Sequence, residues 1–152
     1  MSLHAAIVQI EKDKISSDKA KKFIASEANG AESLFIGRVR NENSGKKVVA
    51  VTYDSHDQAV IKSFQLICKN AKNKYDKNAK IFLEHIKGYT PIGEISILIA
   101  VGSGHRDEAF KICRYVLEEV KHQSPIWKKE HYIDGKEEWL PGHSLRPKEK
   151  IK

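Results

Sequence analysis

Residues 95–101 read Ile-Ser-Ile-Leu-Ile-Ala-Val, and no other stretch narrows the folding options of the chain so far. Successive side chains of a strand point to opposite faces. A strand that is aliphatic on both faces has to be buried on both. Gly102-Ser103-Gly104 breaks the run. From 105 to 122 the apolar residues fall at 109, 112, 113, 116, 117 and 120, the spacing of one helix face. Pro125 ends that helix.

The same periodicities order the rest. Residues 4–10 read as a first strand. Residues 18–28 read as a helix capped by Ser16-Ser17 and stopped by Gly30. Residues 33–40 are extended, 41–45 form a loop and 47–53 return, so the two strands are expected to pair as a hairpin. Apolar positions 60, 61, 64, 67, 68 and 71 predict a helix over 58–74. Residues 80–86 are a strand, 88–93 a turn, and the chain closes with a hairpin about Asp134-Gly135. Mixed strands and helices with several hairpins make the class α+β. A single domain is expected over 1–142, followed by a basic, mobile tail over 143–152.

The chain has 152 residues, of which 40% are hydrophobic and 31% charged, ordinary values for one soluble domain. No apolar run has the length of a membrane span and the N-terminus has no signal-peptide pattern, so a cytoplasmic protein is expected. The formal charge of +7 points to anionic partners: nucleic acid, phosphorylated small molecules or an acidic protein. Cys68 and Cys113 form no CxxC and sit in helical apolar stripes, where small core side chains are expected rather than reactive thiols. The seven histidines make no tight metal spacing, and no metal or cofactor is expected.

Three stretches can carry chemistry. Gly102-Ser-Gly-His105-Arg106 lies between a buried strand and a helix. It is either a plain turn or an anion site built on free helix N–H groups and two cationic side chains. Arg38-Val39-Arg40 sets two guanidiniums on one strand face, either as exposed strand-end residues or as partners for a phosphate or carboxylate. Lys121 stands at the border of its helix's apolar stripe, and Lys128 and Lys129 follow the Pro125 turn. In an extended segment those two face opposite ways, so one of them can share a site with Lys121. Trp127 is either a wall shielding that site from water or a core anchor for the last hairpin.

Four stretches carry a resemblance: Gly37–Val48 (GRVRNENSGKKV), the spaced His85, Gly88, Gly93 and Glu94, Ser103–Phe110 (SGHRDEAF), and Glu118–Trp139 (EEVKHQSPIWKKEHYIDGKEEW). In that order they resemble the large, catalytic subunit of molybdopterin synthase. The resemblance implies an α/β-hammerhead-type domain with a small additional antiparallel β-subdomain. It implies a homodimer within a two-plus-two heterotetramer. The partner is a small ubiquitin-like sulfur-carrier subunit whose C-terminal Gly-Gly thiocarboxylate gives sulfur to cyclic pyranopterin monophosphate (precursor Z), making the dithiolene of molybdopterin. Position by position, Lys121 and Lys128 match the catalytic lysines. The substrate-binding set is Arg38, Val39, Arg40, His105, Arg106, Lys121, Lys128, Lys129 and Glu130. Sulfur arrives on the partner, so no cysteine nucleophile is required.

Two departures from the family pattern are local. Ile86 stands where arginine is usual, with Lys87 next, and Tyr53-Asp-Ser-His56 replaces a YEAY-like stretch. Neither falls on the lysines, so packing or partner contacts are at stake more than the reaction. The competing reading is a basic α+β nucleic-acid-binding module. It is disfavoured by the lack of an RNP-like aromatic run and by His105-Arg106 at a helix start, which suits a compact anion. A member that has lost catalysis and only scaffolds its partner is disfavoured by intact Lys121 and Lys128.

Overall fold

A computed structural model describes residues 1–141; the tail expected over 143–152 lies outside the described residues. The elements in chain order are β1 (Leu3–Gln9), α1 (Ser17–Ile24), β2 (Ala31–Arg38), β3 (Glu42–Asn43), β4 (Lys46–Ser55), α2 (Asp57–Tyr75), β5 (Lys80–Pro91), β6 (Ile95–Ser103), α3 (Arg106–Gln123), β7 (Ile126–Tyr132) and β8 (Glu137–Trp139). The class is α+β. The strands run in the order β2-β6-β5-β4-β7-β8, with β1 parallel to β5 and β3 paired with β4; every other pairing is antiparallel.

β6 is the buried strand its composition demands, between β2 and β5. α2 and α3 pack on one another and bury Phe64, Ile67, Ile112, Val116 and Val120. Cys68 and Cys113 are buried in these stripes, unpaired, and burial pushes the Cys68 thiol up to about 12.

Three expectations are corrected. The stretch 33–40 does not pair with 47–53. β2 pairs with β6 instead, and the tight hairpin is β3–β4, turning at Ser44 (φ 51°) and Gly45 (φ 78°). The second helix-like correction concerns α1, which ends at Ile24, not Ala28. Asn29 turns back to donate its side-chain amide to the Ile24 carbonyl at 3.3 Å. That end abuts β6 so closely that a Cβ on Gly102 would lie 2.7 Å from the Ile24 oxygen. Third, β5 runs on to Pro91, through the stretch expected to turn. Residues 80–85 pair with β6, and 88–91 pair with β4. Gly88, at φ 109°, lies at the changeover, a conformation that glycine reaches without strain. The bend joins the main sheet to the small β4–β7–β8 layer, and the cavity described next forms where they meet.

Candidate active site

Six of the expected site residues converge. Arg38, Val39, Arg40, Lys121, Lys128 and Glu130 line one cavity of about 250 Å³, with Phe35, Val51, Tyr53 and Ile97 among its walls. The convergence follows from register. On the β4–β7 ladder Tyr53 faces Lys128 and Val51 faces Glu130, so all four side chains emerge on one face. The last turn of α3 brings Lys121 to the same place. Beyond a bulge at Gly37/Arg38, the last residue of β2 supplies Arg38 and the segment after it supplies Arg40; Arg38 is anchored by donating from Nη1 to the Gly93 carbonyl at 2.8 Å.

Alternation sends Lys129 and Trp127 to the opposite face. Lys129 pairs with Glu137 at 3.1 Å and lies over the Trp139 ring at 5.1 Å. Trp127, 37% exposed, is neither a wall of the cavity nor a core anchor. The apolar walls come from β2, β4 and β6, which cannot be inferred from the Trp127 neighbourhood of the sequence.

Burial lowers the pKa of Lys121, against the opposing charge of Glu118. It lowers that of Lys128 too; Glu130 opposes the shift, and Lys121 and Arg40 add to it. Two partly desolvated ammonium groups thus share one enclosure, and each gives up a proton more readily than a free lysine. Glu130, 5% exposed, accepts from Asn43 Nδ2 at 3.0 Å on both oxygens and from the Tyr132 hydroxyl at 3.0 Å. The cavity therefore has cationic donors at its rim, two tunable lysines and a fixed carboxylate. Such a set can hold a compact anion and move protons beside it.

His105 and Arg106 lie elsewhere. His105 caps the N-terminus of α3, and Lys121 is in its last turn, roughly 23 Å along the helix axis. His105 borders a separate depression with Tyr75, Asp76, Ser103 and Glu108, which sets two carboxylates beside the helix start.

The model of the MoaE protein family matches residues 10–123. The chain belongs to the MoaE family. A relative from Synechococcus elongatus, a molybdopterin synthase catalytic subunit, is 41% identical over 126 residues, covering 83% of this chain and 76% of that protein. The protein of the same description from Dictyostelium discoideum is 36% identical, covering 90% of this chain and 87% of its own. Among solved structures, molybdopterin synthase from Staphylococcus aureus superposes with a TM-score of 0.83 at 30% identity, covering 90% of this chain and 96% of that one. A complex of subunits 1 and 2 of molybdopterin-converting factor from Helicobacter pylori shares the fold, with a TM-score of 0.73 at 20% identity over 95% and 93% of the two chains.

For a MoaE chain the two departures are accommodated. Ile86 is a core residue, and Lys87 donates to Asp57 at 2.9 Å at the start of α2. His56 caps α2, its Nδ1 accepting from the Ala59 N–H at 3.4 Å. Tyr53, which keeps the first residue of the YEAY-like pattern, lines the cavity beside the lysines, whereas the departing Asp54, Ser55 and His56 do not.

Sequence reasoning missed Asn43, Tyr53 and His85 as cavity residues. His85 had a usable signal: Glu84 and His85 are ionisable residues set in the apolar strand Lys80–Ile86, where a polar side chain needs a reason to be buried.

Proposed function

We propose that this chain is the catalytic subunit of a molybdopterin synthase, a sulfurtransferase of molybdenum cofactor biosynthesis. The observation that carries the reading is the meeting of Lys121 and Lys128 with Arg38 and Arg40 in one cavity, in a chain of this family. The substrate is cyclic pyranopterin monophosphate. Its phosphate suits the guanidiniums; opening the fused phosphate ring and losing acyl oxygen require proton transfers, which the two lysines supply. Glu130 holds a fixed negative charge next to Lys128, limiting how far that lysine's pKa falls. Lys121 and Lys128 are half-buried in a small cavity with the arginines at its rim, which favours a compact anion over a polynucleotide.

Sulfur comes from the C-terminal thiocarboxylate of a small ubiquitin-like subunit. The two cysteines are buried within the helical core, away from the cavity lining, in keeping with sulfur that is brought by the partner. A tail ending in two glycines is narrow enough to enter such a space, and its terminal anion seeks the ammonium groups. We assign the working assembly as a homodimer carrying two small subunits, in the cytoplasm. Within one chain, His105 and Arg106 are too far along α3 to reach the lysines, so their place in the substrate-binding set requires a second copy of the chain.

The test is reconstitution of the purified chain with thiocarboxylated small subunit and cyclic pyranopterin monophosphate. Formation of molybdopterin is expected. A folded complex that forms none would overturn the reading.

A further inference from the structure

His85 lines the cavity and yet is only 1% exposed. Its Nδ1 lies 2.7 Å from the Ile86 carbonyl oxygen. A carbonyl only accepts, so Nδ1 carries the ring proton. The ring stays neutral: burial, with the charges of Lys121 and Lys128, lowers its pKa to about 4 despite the Ile86 bond. Nε2 therefore presents a bare lone pair. No group among the described residues donates to it. Tyr53 packs edge-on against the ring, with centroids 5.0 Å apart and planes at 76°, and limits its rotation.

A buried acceptor without a donor is costly and calls for a partner. Of the other polar groups of this cavity, the Ser96 hydroxyl donates to the Gly37 carbonyl and bonds the Tyr53 hydroxyl, and the Asn43 amide donates to Glu130. Arg38, Arg40, Lys121 and Lys128 are cationic donors that suit an anion. Glu130 accepts, and its oxygens are engaged by Asn43 and Tyr132. The imidazole is the buried ring acceptor left without a donor among the described residues. A ligand that satisfies the whole cavity brings an anion for the cations and an N–H or O–H donor for His85.

We propose, resting on the functional reading above, that His85 Nε2 accepts a hydrogen bond from an N–H or O–H donor on the heterocyclic part of the phosphorylated substrate. It is thus a substrate-binding residue that separates a pterin phosphate from a bare phosphate. Being neutral, it adds no charge that would draw the ammonium groups off the anion.

Two substitutions dissect the ring. His85→Asn keeps an amide N–H near the Nδ1 position, for the Ile86 carbonyl, and has nothing at the ε position. His85→Gln places an amide oxygen near Nε2. Calorimetric titration of the native chain and both variants with inorganic phosphate and with cyclic pyranopterin monophosphate tests the idea, with circular dichroism confirming the fold. Phosphate affinity is expected to stay within about twofold throughout, whereas the pterin binds about tenfold more weakly to His85→Asn. His85→Gln recovers most of the loss. Equal pterin affinities for the native chain, Asn and Gln variants would overturn the proposal, as would an Asn variant that loses phosphate and pterin alike. A native chain that binds phosphate and not the pterin would instead bring down the functional reading, and this inference with it.

Discussion

Asn43 and Glu130 are 87 residues apart in the chain, yet one side-chain amide nitrogen of Asn43 lies 3.0 Å from each carboxylate oxygen of Glu130. The two-residue strand β3 exists in effect to deliver that amide: the Ser44-Gly45 turn holds it over β7. A carboxylate only 5% exposed needs such donors to satisfy its buried oxygens. Asn43→Leu should cost about 1–3 kcal/mol, because among the described residues it leaves the Tyr132 hydroxyl as the neutral side-chain donor to that carboxylate. Urea unfolding of the native chain and the variant measures the difference; no loss of stability would mean that the carboxylate is solvated by other means.

Lys121→Ala and Lys128→Ala should each lower molybdopterin formation by about 10²–10⁴-fold, the range for losing a proton-transfer group. Neither side chain is part of the apolar core, so circular dichroism and melting should change little. Lys128→Arg should fail as well, since a guanidinium holds its proton at any working pH. Turnover close to native in either alanine variant would remove that lysine from the mechanism.

Arg40→Ala, His105→Ala and Arg106→Ala should weaken pterin binding by roughly ten- to hundredfold, as expected for lost charge-assisted bonds. The separation of Arg106 from Lys121 along α3 adds a sharper expectation. Mixed and reassembled, and assayed at pterin concentrations well below saturation where each alone is nearly inactive, Lys121→Ala and Arg106→Ala chains should regain about a quarter of native activity, because a mixed dimer has one site with both residues intact. An assay of the mixture against each variant alone decides; no recovery in verified mixed dimers would show that the two residues do not serve one site across the dimer.

Acid should destabilise the fold through His85. Burial lowers its folded pKa to about 4 from the ordinary histidine value of 6.5, so between those values the unfolded chain binds more protons. Stability from this group is whole above about pH 6.5 and is lost as pH falls towards 4, by about 3 kcal/mol. In urea unfolding at pH 7 and pH 4.5, His85→Gln should lose less stability on acidification than the native chain does. Equal losses would place the titrating group elsewhere.

Cys68→Ser and Cys113→Ser should remain active with thiocarboxylated partner, since neither thiol reaches the cavity. Each should lose about 1–3 kcal/mol where a hydroxyl replaces a thiol in an apolar stripe. A folded double variant without activity, assayed by molybdopterin formation, would show that a protein thiol lies on the sulfur path.

The amino-acid sequence by itself determined the two long helices and the buried strand, because amphipathic spacing and burial on both faces are local properties. The 95–101 run, the stripes at 60–71 and 109–120 and the Pro125 stop all appear in the structure within a residue or two. The sequence also singled out Lys121, Lys128 and the paired arginines as candidates, with bland alternatives left open for each until the family resemblance was added. Alternation separated Lys128 from Lys129, since that depends only on period two. Which face meets the cavity was decided by pairing. Lys128 and Glu130 line it because β7 lies against β4 in one register, and the same register turns Trp127 away. Pairing between distant strands also gave β2 to β6 rather than to the nearest strand in sequence, and carried β5 through its expected turn. His85 became part of the site only when the bend at Gly88 joined the two sheet layers around it. Hydrogen bonds and burial across long sequence separations supply the energy for those choices, and local propensity has no term for them.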